Sequence, residues 1–392
     1  MRKYMLSFTL MRSILSLLGW LLLWVLIGFL KPPYYPEGKF VILLMGLELF
    51  PEGVREICRA YFIAQRYIAL YTLIAVTTGF SRLIMGGWLL LRGENLIEVV
   101  GANILLTWAG NGLGFITLLI SLKRSQLEAD IPIFSTMRKQ FTMGLPFVAI
   151  NILLVAYAQA NVYLLSAFST IEEVGFYGVA DSIVTASSLF TQVYLSLLLP
   201  IFAQLYKINK QRFELIYHSS LRVLSGIAFP IALIIAFQAD TLATIFGWKF
   251  QRVSTVISLL IWSLVISWLN TPNSCVMIAI GYEKVSARFL FLALIINLVS
   301  GLLLIPGKGA IGAALARIIA EAVFWIVHWR FVRKNVVQVP VHVIGQPLIA
   351  LIAMGFTMFI LSGRSIMSWV AVFVGILVYV GVFRFWAKVH NK

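Results

Sequence analysis

The chain is poor in charged residues, and acidic residues are the scarcest of them. Only 12% of its 392 residues are Asp, Glu, Lys or Arg, and 31 Lys and Arg outnumber 15 Asp and Glu, giving a net charge of +16. Soluble domains carry about 25% charged and about 45–50% apolar residues. Here 61% of residues are hydrophobic, and the mean hydropathy is +0.95. This composition excludes a soluble enzyme and a disordered protein, and it indicates a polytopic membrane protein.

Residues suited to catalysis or metal binding are also few. The two cysteines, Cys58 and Cys275, exclude a disulfide framework, and the four histidines lack metal-ligand spacing. The sequence has no phosphate-binding glycine loop, no nucleophile elbow and no paired aspartates that would hold magnesium. No segment between apolar runs is long enough for a soluble catalytic domain. We therefore expect no enzyme activity and no cofactor.

Long apolar runs predict an all-α fold with about twelve transmembrane helices, because about 20 apolar residues cross a bilayer. The predicted spans are 5–30, 40–60, 67–91, 95–122, 141–168, 174–206, 223–238, 253–280, 289–305, 310–329, 346–361 and 367–385. The second span is the weakest, because its clean apolar run stops near Pro51 and charged residues follow at helical spacing.

The distribution of Lys and Arg predicts the orientation. With the N-terminus in the cytoplasm, Lys and Arg favour the side that holds both termini by about threefold, as the positive-inside rule describes. We therefore predict a multi-pass membrane protein with both termini cytoplasmic and membrane lipids as its surroundings. The bias also explains most of the net charge without a nucleic-acid partner.

Polar residues inside the predicted spans are the candidates for function, because intramembrane charges are costly and usually face the bundle interior or a water-filled cavity. Three groups share this placement: the cations Arg12, Arg82 and Arg317, the carboxylates Glu48, Asp181 and Glu321, and the amides Asn151, Gln159 and Asn161. A functional interpretation is a polar cavity in which cations and amides bind an anionic substrate and carboxylates couple to a proton or sodium ion.

Structural roles explain some of the same residues. Arg317 and Glu321 lie four apart, a spacing that suits a static salt bridge. Arg12 and Arg82 are long enough to reach the nearer membrane interface. Asp181 has no partner in its own helix and is the strongest functional candidate, although a pair with an arginine of another helix would serve structure alone.

Several short motifs resemble one transporter superfamily. They are Asn161-Val162-Tyr163-Leu164-Leu165, then Glu173-Val174-Gly175-Phe176-Tyr177-Gly178-Val179-Ala180, a helix ending at Leu199-Pro200, Ile245-Phe246-Gly247, and Ile305-Pro306-Gly307-Lys308-Gly309-Ala310-Ile311-Gly312-Ala313-Ala314. Their order and spacing resemble the lipid-linked oligosaccharide flippases of the multidrug/oligosaccharidyl-lipid/polysaccharide exporters. The resemblance covers residues 141–334 well and the first spans loosely.

The resemblance implies two facing helix bundles in the cytoplasmic (inner) membrane of a bacterium. It also implies a flippase for a polyprenyl-diphosphate-linked oligosaccharide that works by ion-coupled alternating access. In this interpretation the three arginines bind the diphosphate, and the carboxylates couple to protons or sodium. The implied organisation is an N-terminal four-helix bundle (1–122), a cytoplasmic linker (123–140), a six-helix bundle (141–334) and two additional helices (346–385).

The chain departs from the family pattern in two ways. Family members often have an acidic residue where Asn161 stands. The family typically has fourteen helices, so the chain looks as if the first two are missing, through an internal start or a shortened copy. Three alternatives stay open: a drug or metabolite exporter of the same superfamily, a membrane glycan polymerase or glycosyltransferase, and an inactive truncated product.

Overall fold

The structure is a computed structural model that describes residues 2–30, 37–64, 67–123, 133–245, 253–338, 342–362 and 368–390. The helices are α1 (Arg2–Leu30), α2 (Glu37–Gly46), α3 (Leu49–Ala64), α4 (Ile68–Leu91), α5 (Leu96–Lys123), α6 (Ile133–Phe168), α7 (Ile171–Ile208), α8 (Lys210–Phe237), α9 (Ala239–Ile245), α10 (Val253–Ala279), α11 (Glu283–Asn335), α12 (His342–Ser362) and α13 (Ser368–His390). Residues 124–132 of the predicted linker and 246–247 of the Ile-Phe-Gly motif lie outside the described residues.

The protein is an all-α, multi-pass membrane protein. Within the described residues, 9 helices are long and apolar enough to cross a membrane. One of them, α11, has 53 residues, or roughly 80 Å at 1.5 Å per residue, which is more than twice the roughly 30 Å hydrocarbon core. The spans predicted at 289–305 and 310–329 are the two arms of this one kinked helix. In α13 the apolar part, Trp369–Phe385, is shorter than the others.

The kink of α11 lies at Gly309, whose φ of 53° and ψ of −131° are accessible to glycine and strained for other residues. Beyond the kink, Gly312 lies against the Leu304 carbonyl of the preceding arm, and a side chain at residue 312 would overlap that backbone. Two glycines therefore allow the arms to approach closely at the bend.

The prediction of one continuous helix over 40–60 is wrong, because the structure interrupts it at Leu47 and Glu48, between α2 and α3. The amides of these two residues bond to the carbonyls of Leu44 and Met45, three residues back, at 3.0 Å each. Pro51 explains the interruption, since it lacks the N–H that a continuous helix would donate to the Leu47 carbonyl. The Leu47 carbonyl instead accepts from Phe50 N at 3.4 Å.

The chain divides into two compact units, Met1–Pro146 and Phe147–Lys392. In the first unit α3 packs against α1 and α5, and α4 packs against α5. The core of this unit is a small apolar cluster of Ile57, Cys58, Tyr61, Phe62 and Leu118.

In the second unit α10 is the central helix and packs against α7, α8 and α11, while α12 and α13 pack against each other and against α8. The arm of α11 after the kink presents alanines to this core, and Ala310, Ala313, Ala314, Ala316 and Ala320 are fully buried. Small residues let transmembrane helices approach closely. The polar side chains of α7 and α11 consequently come within hydrogen-bonding distance.

Candidate functional site

In the first unit, Arg82 is held by a set of polar groups that we call the Arg82 cluster: Glu48, Arg82, Asn103 and Thr107. Arg82 Nη2 donates to Glu48 Oε1 at 3.3 Å, and Arg82 Nε donates to Asn103 Oδ1 at 3.2 Å. Thr107 Oγ1 also donates to Glu48 Oε1 at 3.3 Å. Three elements converge here: the α2–α3 break, α4 and α5. The structure thus joins a predicted substrate ligand to a predicted ion-coupling carboxylate.

The helix break that positions Glu48 is stabilised by α1. Ser16 Oγ donates to the Leu49 carbonyl at 3.0 Å, and Trp20 Nε1 donates to the Leu43 carbonyl at 3.1 Å. A helix interruption leaves carbonyls without intrahelical partners, and in a membrane each needs another donor. Trp20 therefore supplies a donor to the Leu43 carbonyl that the interruption frees in α2, and Ser16, one helical turn earlier on α1, holds the first residue of α3.

Arg82 remains partly accessible although it lies deep in a transmembrane helix. It precedes the end of α4 by nine residues, or roughly 14 Å. Its side chain is 35% exposed, and Glu48 and Asn103 engage Nη2 and Nε. A guanidinium fixed along one edge and open along another can bind an oxyanion.

In the second unit a buried network, the Arg317 cluster, joins α6, α7 and α11; its members are Asn161, Tyr177, Asp181, Arg317 and Glu321. Arg317 Nη1 forms a short ion pair with Asp181 Oδ1 and donates to the Tyr177 hydroxyl at 3.4 Å. Asn161 Nδ2 donates to the same hydroxyl at 3.3 Å. Among the described residues, the ion pair of Arg317 is therefore with Asp181 on α7 rather than with Glu321 in its own helix.

Glu321 completes the Arg317 cluster as a second carboxylate near the same arginine. It is 7% exposed and lies near both Arg317 and the Tyr157 hydroxyl of α6. One guanidinium therefore lies near two carboxylates, one of which is its ion-pair partner. If all three groups were ionised, the cluster would carry a net negative charge inside the membrane. Such a charge is costly, so the cluster favours binding one proton or another cation.

One face of α7 holds the post-kink arm of α11 over three successive turns. Tyr177 and Asp181 bind Arg317, and one turn earlier Glu173 Oε2 accepts from the Ala310 amide at 2.6 Å. The carboxylate caps the first turn after the kink, where backbone N–H groups lack helical partners. Residues 173, 177 and 181 thus attach the post-kink arm of α11 to α7.

The exposed surface of α7 is divided into a polar and an apolar half. Gly178, Ser182, Thr185, Gln192 and Ser196 are exposed along one half. Phe190, Val193, Leu197 and Ile201 are exposed along the adjoining half. Lipid offers no hydrogen bonds, so exposed polar groups on a transmembrane helix favour a water-filled surface. The polar half of α7 lies next to Asp181, and in it Ser182 and Ser196 also donate to carbonyls of their own helix at 2.7 Å each.

The other predicted ligands lie apart from these clusters. The Arg12 guanidinium lies over the Phe8 ring at 5.6 Å, and its side chain is beside Gly53. Asn151 and Gln159 are exposed on α6, whereas Asn161 is buried. Of the three amides, Asn161 is the one that enters the Arg317 cluster.

Asn103, Thr107, Tyr157, Tyr177 and Glu173 were absent from the predicted site. Tyr177 and Glu173 belong to the motif that opens α7, and their i, i+4 spacing with Asp181 is a signal that could have identified them. Asn103 and Thr107 share the same spacing on α5 but carry no motif. No group of three or more His, Cys, Asp or Glu in the described ranges is arranged to hold a metal ion.

Comparison with known proteins identifies the family. A family model described as "Polysaccharide biosynthesis protein" matches residues 2–255. The chain belongs to this family. A Haloferax volcanii protein named as a probable low-salt glycan biosynthesis flippase is 24% identical over 319 residues, which cover 74% of this chain and 68% of the relative.

Two solved structures show the same fold as this polysaccharide biosynthesis family member. The lipid II flippase MurJ in an inward closed conformation matches with a TM-score of 0.76 at 14% identity, over 99% of this chain and 83% of that one. The Vibrio cholerae MATE transporter VcmN in its bent form matches with a TM-score of 0.62 at 14% identity, over 84% and 77%. The multi-helix transporter fold implied by the motifs is thus confirmed.

Proposed function

We propose that the protein is a flippase that moves a polyprenyl-diphosphate-linked oligosaccharide across the cytoplasmic membrane of a bacterium by ion-coupled alternating access. The observation that carries the proposal is Arg82, a partly accessible guanidinium held deep in a transmembrane helix by Glu48 and Asn103. Family membership and the flippase named among the relatives support the same substrate class.

The Arg82 cluster suits a diphosphate. Two neighbouring phosphates present oxyanions that a guanidinium binds through paired N–H groups, and the apolar surroundings strengthen that attraction. Asn103 fixes the guanidinium through Nε, so less entropy is lost on binding than with a free side chain. Arg12, on α1, is the second cation that we assign to the headgroup.

Arg317 has a different role in this proposal. It is already paired with Asp181 and lies near Glu321, so its charge is neutralised within the protein. The excess carboxylate makes the Arg317 cluster the site where a proton or sodium ion couples to transport. Protonation of Glu321 or Asp181 changes how strongly Arg317 holds α7 to α11, and these are the elements that have to rearrange during alternating access.

The sugar head has to cross about 30 Å of hydrocarbon, which requires a hydrated path. The exposed polar half of α7, with the amides Asn151 and Gln159 of α6, supplies hydrogen-bonding groups along such a path. The polyprenyl tail remains in the lipid. Transport needs no covalent chemistry, and the proposed role is that of a transporter.

Reconstitution tests the proposal. The full chain in vesicles is supplied with an NBD-labelled polyprenyl-diphosphate disaccharide, and dithionite reports the fraction of label reaching the outer leaflet. We expect transport of this lipid and no uptake of ethidium, a cationic drug. Ethidium transport without lipid flipping would instead support the drug-exporter alternative, which the fold likeness to VcmN motivates.

A further inference from the structure

Glu48 occupies Arg82 Nη2, one of the N–H groups through which a guanidinium forms paired hydrogen bonds with a phosphate. Its Oε1 accepts from Arg82 Nη2, and a carboxylate and a phosphate oxygen are interchangeable partners for a guanidinium. The side chains of Glu48 and Arg82 are 27% and 35% exposed, so the contact is open to a competing ligand.

We propose that Glu48 is an internal competitor of the substrate: a diphosphate binds Arg82 by displacing the Glu48 carboxylate, which then takes up a proton. This inference rests on the proposed function, in which Arg82 binds the diphosphate. It assigns Glu48 a role opposite to that of a residue that merely orients the arginine.

The geometry allows Glu48 to leave while Arg82 stays in place. Both contacts of Oε1 are 3.3 Å, longer than the roughly 2.7–2.9 Å of strong charge-assisted hydrogen bonds. Asn103 retains its bond to Arg82 Nε when Glu48 departs. Thr107 Oγ1 also lies 2.8 Å from the Asn103 carbonyl, so its hydroxyl keeps an acceptor.

The backbone at Glu48 need not move when the carboxylate leaves. Residues 47–48 form a turn between α2 and α3, in which the Glu48 amide bonds to the Met45 carbonyl at 3.0 Å and the Glu48 carbonyl accepts from Glu52 N at 3.1 Å. The bonds from Ser16 and Trp20 hold the carbonyls on either side of the turn. The displacement therefore needs only a rotation of the Glu48 side chain.

Proton uptake follows from the charges around the displaced carboxylate. Arg82 on α4 is its ion-pair partner, and α5 contributes only the neutral Asn103 and Thr107. On α3, Glu52 is paired with Arg55 at 2.6 Å and adds a negative charge one turn away. The charged group contributed by α1 is Arg12, beside Gly53. A Glu48 carboxylate that loses Arg82 to a diphosphate is destabilised, and a proton neutralises it.

The inference is tested by whether Glu48→Gln raises or lowers the affinity for pyrophosphate. Inorganic pyrophosphate is titrated calorimetrically into the purified full chain and into Glu48→Gln, with Glu56→Gln as the matched carboxylate control. We expect Glu48→Gln to bind pyrophosphate about tenfold more tightly than wild type at pH 7.5, which corresponds to about 1.4 kcal/mol. Glu56 pairs with Arg59 at 3.5 Å on α3, so Glu56→Gln leaves the Arg82 contact intact and should bind within about twofold of wild type.

Two further measurements test whether Glu48 takes up a proton when pyrophosphate binds. The first is the ratio of wild-type to Glu48→Gln affinity at several pH values, from which the ionisation of pyrophosphate itself cancels. This ratio should approach one as the pH falls and Glu48 becomes protonated. Titrations in two buffers of different ionisation enthalpy should show greater proton uptake by wild type than by Glu48→Gln.

Equal or weaker binding by Glu48→Gln overturns the inference and makes Glu48 a positioning residue. Thr107→Val decides the matter if Glu48→Gln does not fold, because it removes a donor to Glu48 and should also tighten binding. Arg82→Ala separates the two proposals. If pyrophosphate binding survives in Arg82→Ala, the diphosphate site of the proposed function is wrong; if binding is lost there but Glu48→Gln is not tighter, only the competitor role fails.

Discussion

The Glu173 carboxylate on α7 accepts a hydrogen bond from the Ala310 amide at 2.6 Å, immediately after the kink at Gly309 of α11. A Cβ at residue 309 would overlap this carboxylate, and the backbone there has a positive φ. The link from α7 to α11 thus depends on a glycine at one residue and a carboxylate at another.

Gly309→Ala should destabilise the second unit for both reasons. We expect the free energy of unfolding to fall by about 1–3 kcal/mol, the usual cost of a strained backbone conformation. Gly307→Ala is the matched control: a Cβ there meets nothing within 4 Å, and Gly→Ala at an unstrained helical residue should raise stability by about 0.4–1 kcal/mol. Unfolding in mixed detergent micelles measures both, and equal stability of the two variants would contradict the link.

The Asp181–Arg317 pair should show strong energetic coupling. Breaking a buried pair by removing one partner costs about 3–5 kcal/mol, because the other charge is left uncompensated. The side chains of Arg317 and Asp181 are 19% and 25% exposed, so we expect a cost below that range. Asp181→Asn and Arg317→Gln should each destabilise strongly, and the double variant by clearly less than the sum. A double-mutant cycle on unfolding free energies measures this coupling. Additive losses would show that the two residues act independently.

Arg82→Ala should abolish or slow flipping of the polyprenyl-diphosphate glycan by about 10–100-fold, since a hydrogen bond to a charged group contributes about 1.5–3 kcal/mol. Arg92→Ala is the matched control: this arginine lies at the C-terminal end of α4, with its guanidinium 3.8 Å from the Trp88 ring centroid. The dithionite assay compares the initial rates. Equal losses in the two variants would argue for a general effect of charge at α4.

Cysteine labelling should distinguish the two halves of the α7 surface. Cys58 and Cys275 are buried, so native protein should resist a membrane-impermeant maleimide. Ser182→Cys, on the polar half, should react because its thiol is hydrated and can ionise. Leu197→Cys, on the apolar half at a residue 61% exposed, should not. Labelling of Leu197→Cys at the rate of Ser182→Cys would refute a hydrated polar half.

Particular residues show how far the sequence predicts this protein. Apolar run length placed eleven of the twelve predicted spans on helices or helix arms, because length and hydropathy are local properties. The prediction for the second span was wrong because Pro51 has no N–H to donate to the carbonyl four residues earlier, which interrupts the helix. The partners of Asp181 and Glu48 depend on which helices pack together, and helix packing is not encoded in local periodicity.

The order of synthesis gives the interruption between α2 and α3 a consequence for biogenesis. With 10 and 16 residues, these helices measure roughly 15 and 24 Å, so neither alone crosses the bilayer. Glu48, at their junction, leaves the ribosome 34 residues ahead of Arg82. The partner of Glu48 is therefore missing from the nascent segment until α4 emerges, and we expect α2, α3 and α4 to enter the membrane together rather than one helix at a time.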